Sequence, residues 1–199
     1  MAGVPEKARK EFTSARELWQ EGKDPQKVID HLKKAIKIDP QFPDAYVLLA
    51  TAYIQQNNPA DAKSALDQAI EMDPKLAEAR LTLGTLQNSQ KDYAGAEKSL
   101  TEGLKLDPES PEGNYQLAKT YWAEGRWQDA EPHVQKALSL RADMAPAHVL
   151  MGNIALRKRD PDLALKEFKE YLRLDPKGPM AAGAQQMVEK LEQPAAAAH

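Results

Sequence analysis

The chain contains no cysteine, which excludes disulfides and thiolate metal sites and leaves cytoplasm and periplasm equally open. Glycine is scarce, at 10 of 199 residues, and most of the 14 prolines stand between apolar segments rather than inside them. Punctuation of that kind favours helices over strands. No apolar run approaches the ~20 residues that span a bilayer, and the opening Met1-Ala-Gly-Val-Pro has no apolar signal core. Neither charge dominates: 27 Lys and Arg face 30 Asp and Glu, net −3, so no general attraction to nucleic acid or anionic lipid is expected.

Catalytic patterns are missing as well. There is no Gly-rich phosphate loop and no Gly-x-Ser-x-Gly elbow. The four histidines, His31, His133, His148 and His199, have no second ligand-type residue at metal spacing, and each is read as a surface or satisfied side chain. Arg157-Lys158-Arg159 is the densest basic run, too short for nucleic acid and placed where cations complement a helix C-terminus. The expectation is a chain that is not an enzyme and has no metal, no cofactor, no nucleic-acid partner and no membrane insertion.

What is present is a period. Asp39-Pro40, Asp73-Pro74, Asp107-Pro108 and Asp175-Pro176 recur on a 34-residue step, with Arg141-Ala142 at the one degraded place in phase. A step of this size means one supersecondary unit stacked on copies of itself. Within a unit, Tyr46, Leu49, Ala50 and Tyr53 lie on one helical face, as do Ala62, Ala65, Leu66, Ala69 and Ile70. Asn58-Pro59 interrupts the two runs as cap and first helical residue, and Asp73-Pro74 ends the second. Each unit is therefore a hairpin of two amphipathic helices. Asp24-Pro25 and Asp160-Pro161 open second helices; Ser110-Pro111, Ala145-Pro146 and Gly178-Pro179 open first ones. Small residues recur where helices must approach: Ala50, Gly84, Ala118, Gly152, and Ala62, Ala96, Ala130, Ala164.

With the aromatics Tyr53 and Tyr121, the alanines Ala35, Ala69 and Ala137 and the closing prolines, this pattern resembles the tetratricopeptide repeat family over nearly the whole chain. The fold expected is an all-α, right-handed α-solenoid. One domain, 1–193, would comprise units at about 8–42, 43–76, 77–110, 111–144 and 145–178 and a capping helix at about 179–193, before a disordered tail at 194–199. Four departures stand out. The first unit carries an extra residue near Gly22-Lys23, with Ala15 setting its register; Gln87 replaces an aromatic; Pro132 sits inside a second helix, where it should bend the rod; and Tyr171 replaces a small residue, with Met-Ala-Ala-Gly-Ala after Pro179 expected to accommodate it.

The resemblance implies that the fifth, ninth and twelfth residues of each unit line a concave groove. These are Val47, Leu81, Tyr115 and Val149; Thr51, Thr85, Lys119 and Asn153; and Ile54, Asn88, Trp122 and Leu156. Phe12 and Trp19 continue the apolar rows if Ala15 sets the register. The competing reading places the same residues in the core between neighbouring first helices. The clamp by which chaperone-binding members hold a C-terminal carboxylate is absent, since Val47, Thr51, Thr82, Glu112 and Gln116 occupy its places. By segment, 1–42 has nine basic and seven acidic residues, 43–144 ten and sixteen, and 145–178 seven and five. The function implied is a non-enzymatic scaffold, monomer or weak homo-oligomer, that binds a peptide or helix of a partner protein. The alternatives are a structural module that self-associates and a regulatory fragment of a larger protein.

Overall fold

A computed structural model of the chain describes residues 3–193. Among these there are eleven α-helices and no strand. Ten pair as hairpins: α1 (Glu6–Gln20) with α2 (Pro25–Ile38), α3 (Pro43–Gln55) with α4 (Pro59–Met72), α5 (Ala77–Ser89) with α6 (Tyr93–Leu106), α7 (Pro111–Ala123) with α8 (Trp127–Leu140), and α9 (Ala145–Arg157) with α10 (Pro161–Leu174). Helix α11 (Ala181–Glu192) follows alone. The helices form two compact units: three hairpins ending at Pro108, and two hairpins with α11 beginning at Glu109. The tail expected at 194–199 lies outside the described residues.

Local chemistry sets the helix boundaries. Prolines open α2, α3, α4, α7 and α10, where a missing N–H costs nothing. The caps before all of these but α3 accept backbone N–H groups, as Asp24 does from Gln26 (2.9 Å) and Asp160 from Leu163 (3.0 Å). Every hairpin turns through one residue at positive φ: Gly22 (64°), Asn57 (56°), Lys91 (62°), Gly125 (78°) and Arg159 (60°). Each ends its first helix with the same reverse pair of bonds. At Gly125 the residue's own N–H donates to the Trp122 carbonyl (3.0 Å) and the Arg126 N–H to that of Tyr121 (2.9 Å). The turns keep the 34-residue step, except that Gly22 precedes Asn57 by 35; Lys23 is the extra residue, lying between the turn and the Asp24 cap.

The small in-phase residues are buried where the helices of a hairpin meet. A Cβ on Gly103 would stand 2.6 Å from Leu81 Cδ2, so α5 and α6 leave no room for a side chain there. Pro132 lies inside α8, which continues unbroken to Leu140. Tyr171 is fully buried, and Met180, Ala181 and Ala184 of the expected Met-Ala-Ala-Gly-Ala run pack in the same core. The Tyr171 hydroxyl accepts the Met180 N–H (3.1 Å) and lies where a Cβ on Gly178 would meet it, while Gly183 is exposed. Because 178–180 turn around this hydroxyl, the last helix opens at Ala181 rather than at Pro179.

Candidate functional site

The twelve residues expected to line a surface fall on four first helices at steps of four and three, so each helix presents its three on one face. In the first unit that face is closed at two of its six places. Val47 is 1% exposed and Asn88 7%. Both are buried, and α3, which carries Val47, packs against α5 as well as against α2 and α4. Leu81 is half-buried over Gly103 of α6, and Ile54 is half-buried against the core. The Thr51 and Thr85 hydroxyls donate back to the carbonyls of Val47 and Leu81 (both 3.0 Å). In the first hairpin Phe12 is buried against Phe42 (ring centroids 4.8 Å apart) and Trp19 is half-buried on the same core.

The second unit is more open. On α7, Tyr115 and Trp122 are half-buried against the core around Met144 and Met151, and Lys119 between them is exposed. Burial, helped by the Glu112 charge, pushes the Tyr115 phenol up, so it stays a hydrogen-bond donor at neutral pH. On α9, Val149, Asn153 and Leu156 are half-buried. Two features here were not expected from the sequence. Trp122, Gly125, Trp127 and Arg157 line a cleft of about 310 Å3, with the Arg157 guanidinium 5.9 Å from the centre of the Trp122 ring. Lys119 and Arg157 have no acidic partner among the described residues, whereas Lys158 pairs with Glu131, and Arg126 with Glu124 and Asp129.

The second unexpected feature is a polar lock across the hairpins. His148 Nδ1 meets Glu167 Oε2 at 2.6 Å and its Nε2 meets the Ala142 carbonyl at 2.8 Å, with both side chains 10% exposed. Glu11 and His31 (2.7 Å) and Asn114 and His133 (3.2 Å) join the same places of the first and fourth hairpins. Reading the fourth and twenty-third residues of each unit as a pair would have found Asn114–His133 and His148–Glu167, and allowing for the extra residue of the first unit the Glu11–His31 pair as well. Among the described residues no three His, Asp or Glu side chains come together as a metal ligand set, and no helix is long and apolar enough to cross a membrane.

The comparisons agree with this architecture. A tetratricopeptide repeat family model matches residues 18–84, 55–120 and 87–131, and a second matches 115–179. No sequence among curated proteins matches the chain. Among solved structures, PilF of Pseudomonas aeruginosa superposes with a TM-score of 0.81 at 18% identity, covering 95% of this chain and 90% of its own. PilW, a type IV pilus biogenesis factor, gives 0.77 at 18% over 94% and 91%. MamA gives 0.66 at 24% over 82% and 95%. At these identities the likeness is one of fold. The family models run almost end to end across the five hairpins, and the chain belongs to the tetratricopeptide repeat family.

Proposed function

We propose that this chain is a non-enzymatic scaffold that captures a peptide or helical segment of a partner protein on the face formed by Tyr115, Lys119 and Trp122 of α7 with Val149, Asn153 and Leu156 of α9. A tetratricopeptide fold is the fold of a protein-interaction scaffold; the choice of face is the proposal. One observation carries it: α7 keeps two large aromatics half-exposed on one face with an unpaired lysine between them. Rigid aromatics offer much contact area at low entropic cost, which is why a few such residues dominate interfaces. The first unit is the poorer candidate, since Val47 and Asn88 are buried and both threonine hydroxyls are spent on their own helix.

The test begins with capture of a partner by the immobilised chain and continues with calorimetry on the purified pair. Lys119 is exposed, so Lys119→Glu leaves the fold intact. Reversing its charge is expected to weaken binding at least tenfold at low ionic strength, with the loss shrinking as salt rises. Tyr115→Ala is expected to cost about 2 kcal/mol of binding. A partner that binds both variants like the parent chain uses another surface.

A further inference from the structure

We propose that the cleft between Trp122 and Trp127 is a side-chain pocket for a partner segment in which a bulky apolar residue stands beside a carboxylate, Arg157 being the carboxylate's receptor. This rests on the reading above in taking the partner to be a protein and shares Trp122 with the face proposed there, but Gly125, Trp127 and Arg157 lie outside that face. The cleft lies at the hairpin turn rather than along the face of α7. Trp122 is in the last turn of α7 and Trp127 is the first residue of α8, so the Gly125 turn holds the two indoles on either side of it. Nothing lies within 4 Å of where a Gly125 Cβ would stand, which leaves bare backbone between the rings. Arg157 reaches over from the last turn of α9.

The other hairpins serve as internal controls. At the same three places stand Asn88, Tyr93 and Ala123 one repeat earlier and Ile54, Pro59 and Ser89 two repeats earlier. Those turns close with the same positive-φ residue and the same pair of backbone bonds. Two indoles and a guanidinium are therefore not needed to make the turn. At about 310 Å3 the cleft is at the lower limit of ligand pockets, matching one large side chain rather than a cofactor. The charge selects the rest of the occupant. Arg157 is exposed and has no acidic partner among the described residues, while the neighbouring Arg126 and Lys158 are both paired. A guanidinium offers a carboxylate two parallel N–H donors, and tryptophan and arginine are among the residue types enriched where binding energy concentrates.

The chain has three tryptophans, Trp19, Trp122 and Trp127, so its three indole N–H signals in a nitrogen-15 correlation spectrum report the cleft with a built-in reference. The probes are the blocked peptides acetyl-Glu-Phe-Asp-amide and acetyl-Lys-Phe-Lys-amide, titrated into the full chain. The acidic peptide is expected to shift the Trp122 and Trp127 signals while Trp19 stays still, and to bind at least tenfold tighter than the basic one. Arg157→Ala should erase that preference, and Trp127→Ala should abolish the Trp122 shift while the circular dichroism spectrum is unchanged. Equal responses to both peptides, a comparable shift of Trp19, or no shift at millimolar peptide would overturn the proposal. Lys119→Glu is expected to leave the peptide response of the cleft in place. A cleft that fails here while Lys119→Glu still weakens the captured partner leaves the α7 face standing, and the reverse result rejects that face alone.

Discussion

Both ring nitrogens of His148 face acceptors, the Glu167 carboxylate and the Ala142 carbonyl. Only the imidazolium donates from both. Burial opposes that charge, but the bonds to Glu167 and Ala142 and the charges of Glu167 and Glu170 outweigh it, and the His148 pKa is raised above its ordinary value. Lys166, Lys169 and Arg173 line a shallow cleft together with His148 and Glu167, Lys169 and Arg173 being engaged by Glu192 and Glu170. A pKa raised by folding means that folding takes up the proton. The stability this adds is complete below the unfolded value of about 6.5 and is lost as pH rises through the folded value. His133 works in the opposite direction, because burial lowers its pKa despite Asp129; its neutral form is favoured, and stability is lost as pH falls below about 6.5. Comparing the chain with His148→Gln cancels that contribution. The variant is expected to be less stable by about 3 kcal/mol at pH 6, since Glu167 keeps a buried charge without its cation. The gap between the two melting temperatures should narrow steadily from pH 6 to pH 9. A gap that stays constant over that range would mean that His148 is neutral in the fold.

At the scale of elements, the recurring hairpin turn is where the chain departs from its own best solution. Positive φ suits glycine and asparagine, which occupy it at Gly22, Asn57 and Gly125, but Lys91 and Arg159 hold it in the other two hairpins. Arg159→Gly should relieve the steric cost of a Cβ in that conformation and raise stability by about 1 kcal/mol, read as a later midpoint in urea with unchanged slope. Gly125→Ala should lower it by a similar amount. These elements were legible in the sequence because their determinants are local: Pro59 and Pro161 open helices, Asp24 and Asp160 cap them, and Lys23 is visible as one residue too many. Burial of the site residues was not legible. Val47 and Tyr115 hold the same fifth place of their units, yet one is core and the other half-exposed. Repeat phase sets the direction a side chain points, while the next helix sets how deeply it is covered. The His148–Glu167 pair was hidden for a related reason: its members are 19 residues apart and meet only when two helices close on each other. The start of α11 moved to Ala181 because the Tyr171 hydroxyl, 9 residues upstream, claims the Met180 N–H.

For the whole molecule the relevant property is how far a local change spreads. In repeat proteins each hairpin packs only on its neighbours, so stability is close to a sum of local terms. The cores here follow that rule. The first unit has one core around Phe12, Leu32 and Phe42 and another around Leu66 and Leu86; the second has one around Val134 and Ile154 and another around Phe168 and Tyr171. Leu32 is fully buried in the first of these, and Leu32→Ala should cost about 2–5 kcal/mol there. Because that loss is local, hydrogen exchange followed by mass spectrometry is expected to accelerate in α1 to α3 and to keep its parental rates in α9 to α11. Partner binding through α7 should then survive Leu32→Ala with its affinity unchanged, although the first hairpin is weakened. If exchange instead rises uniformly from α1 to α11, the chain opens as one cooperative body, and every core substitution must then be expected to disturb the binding face.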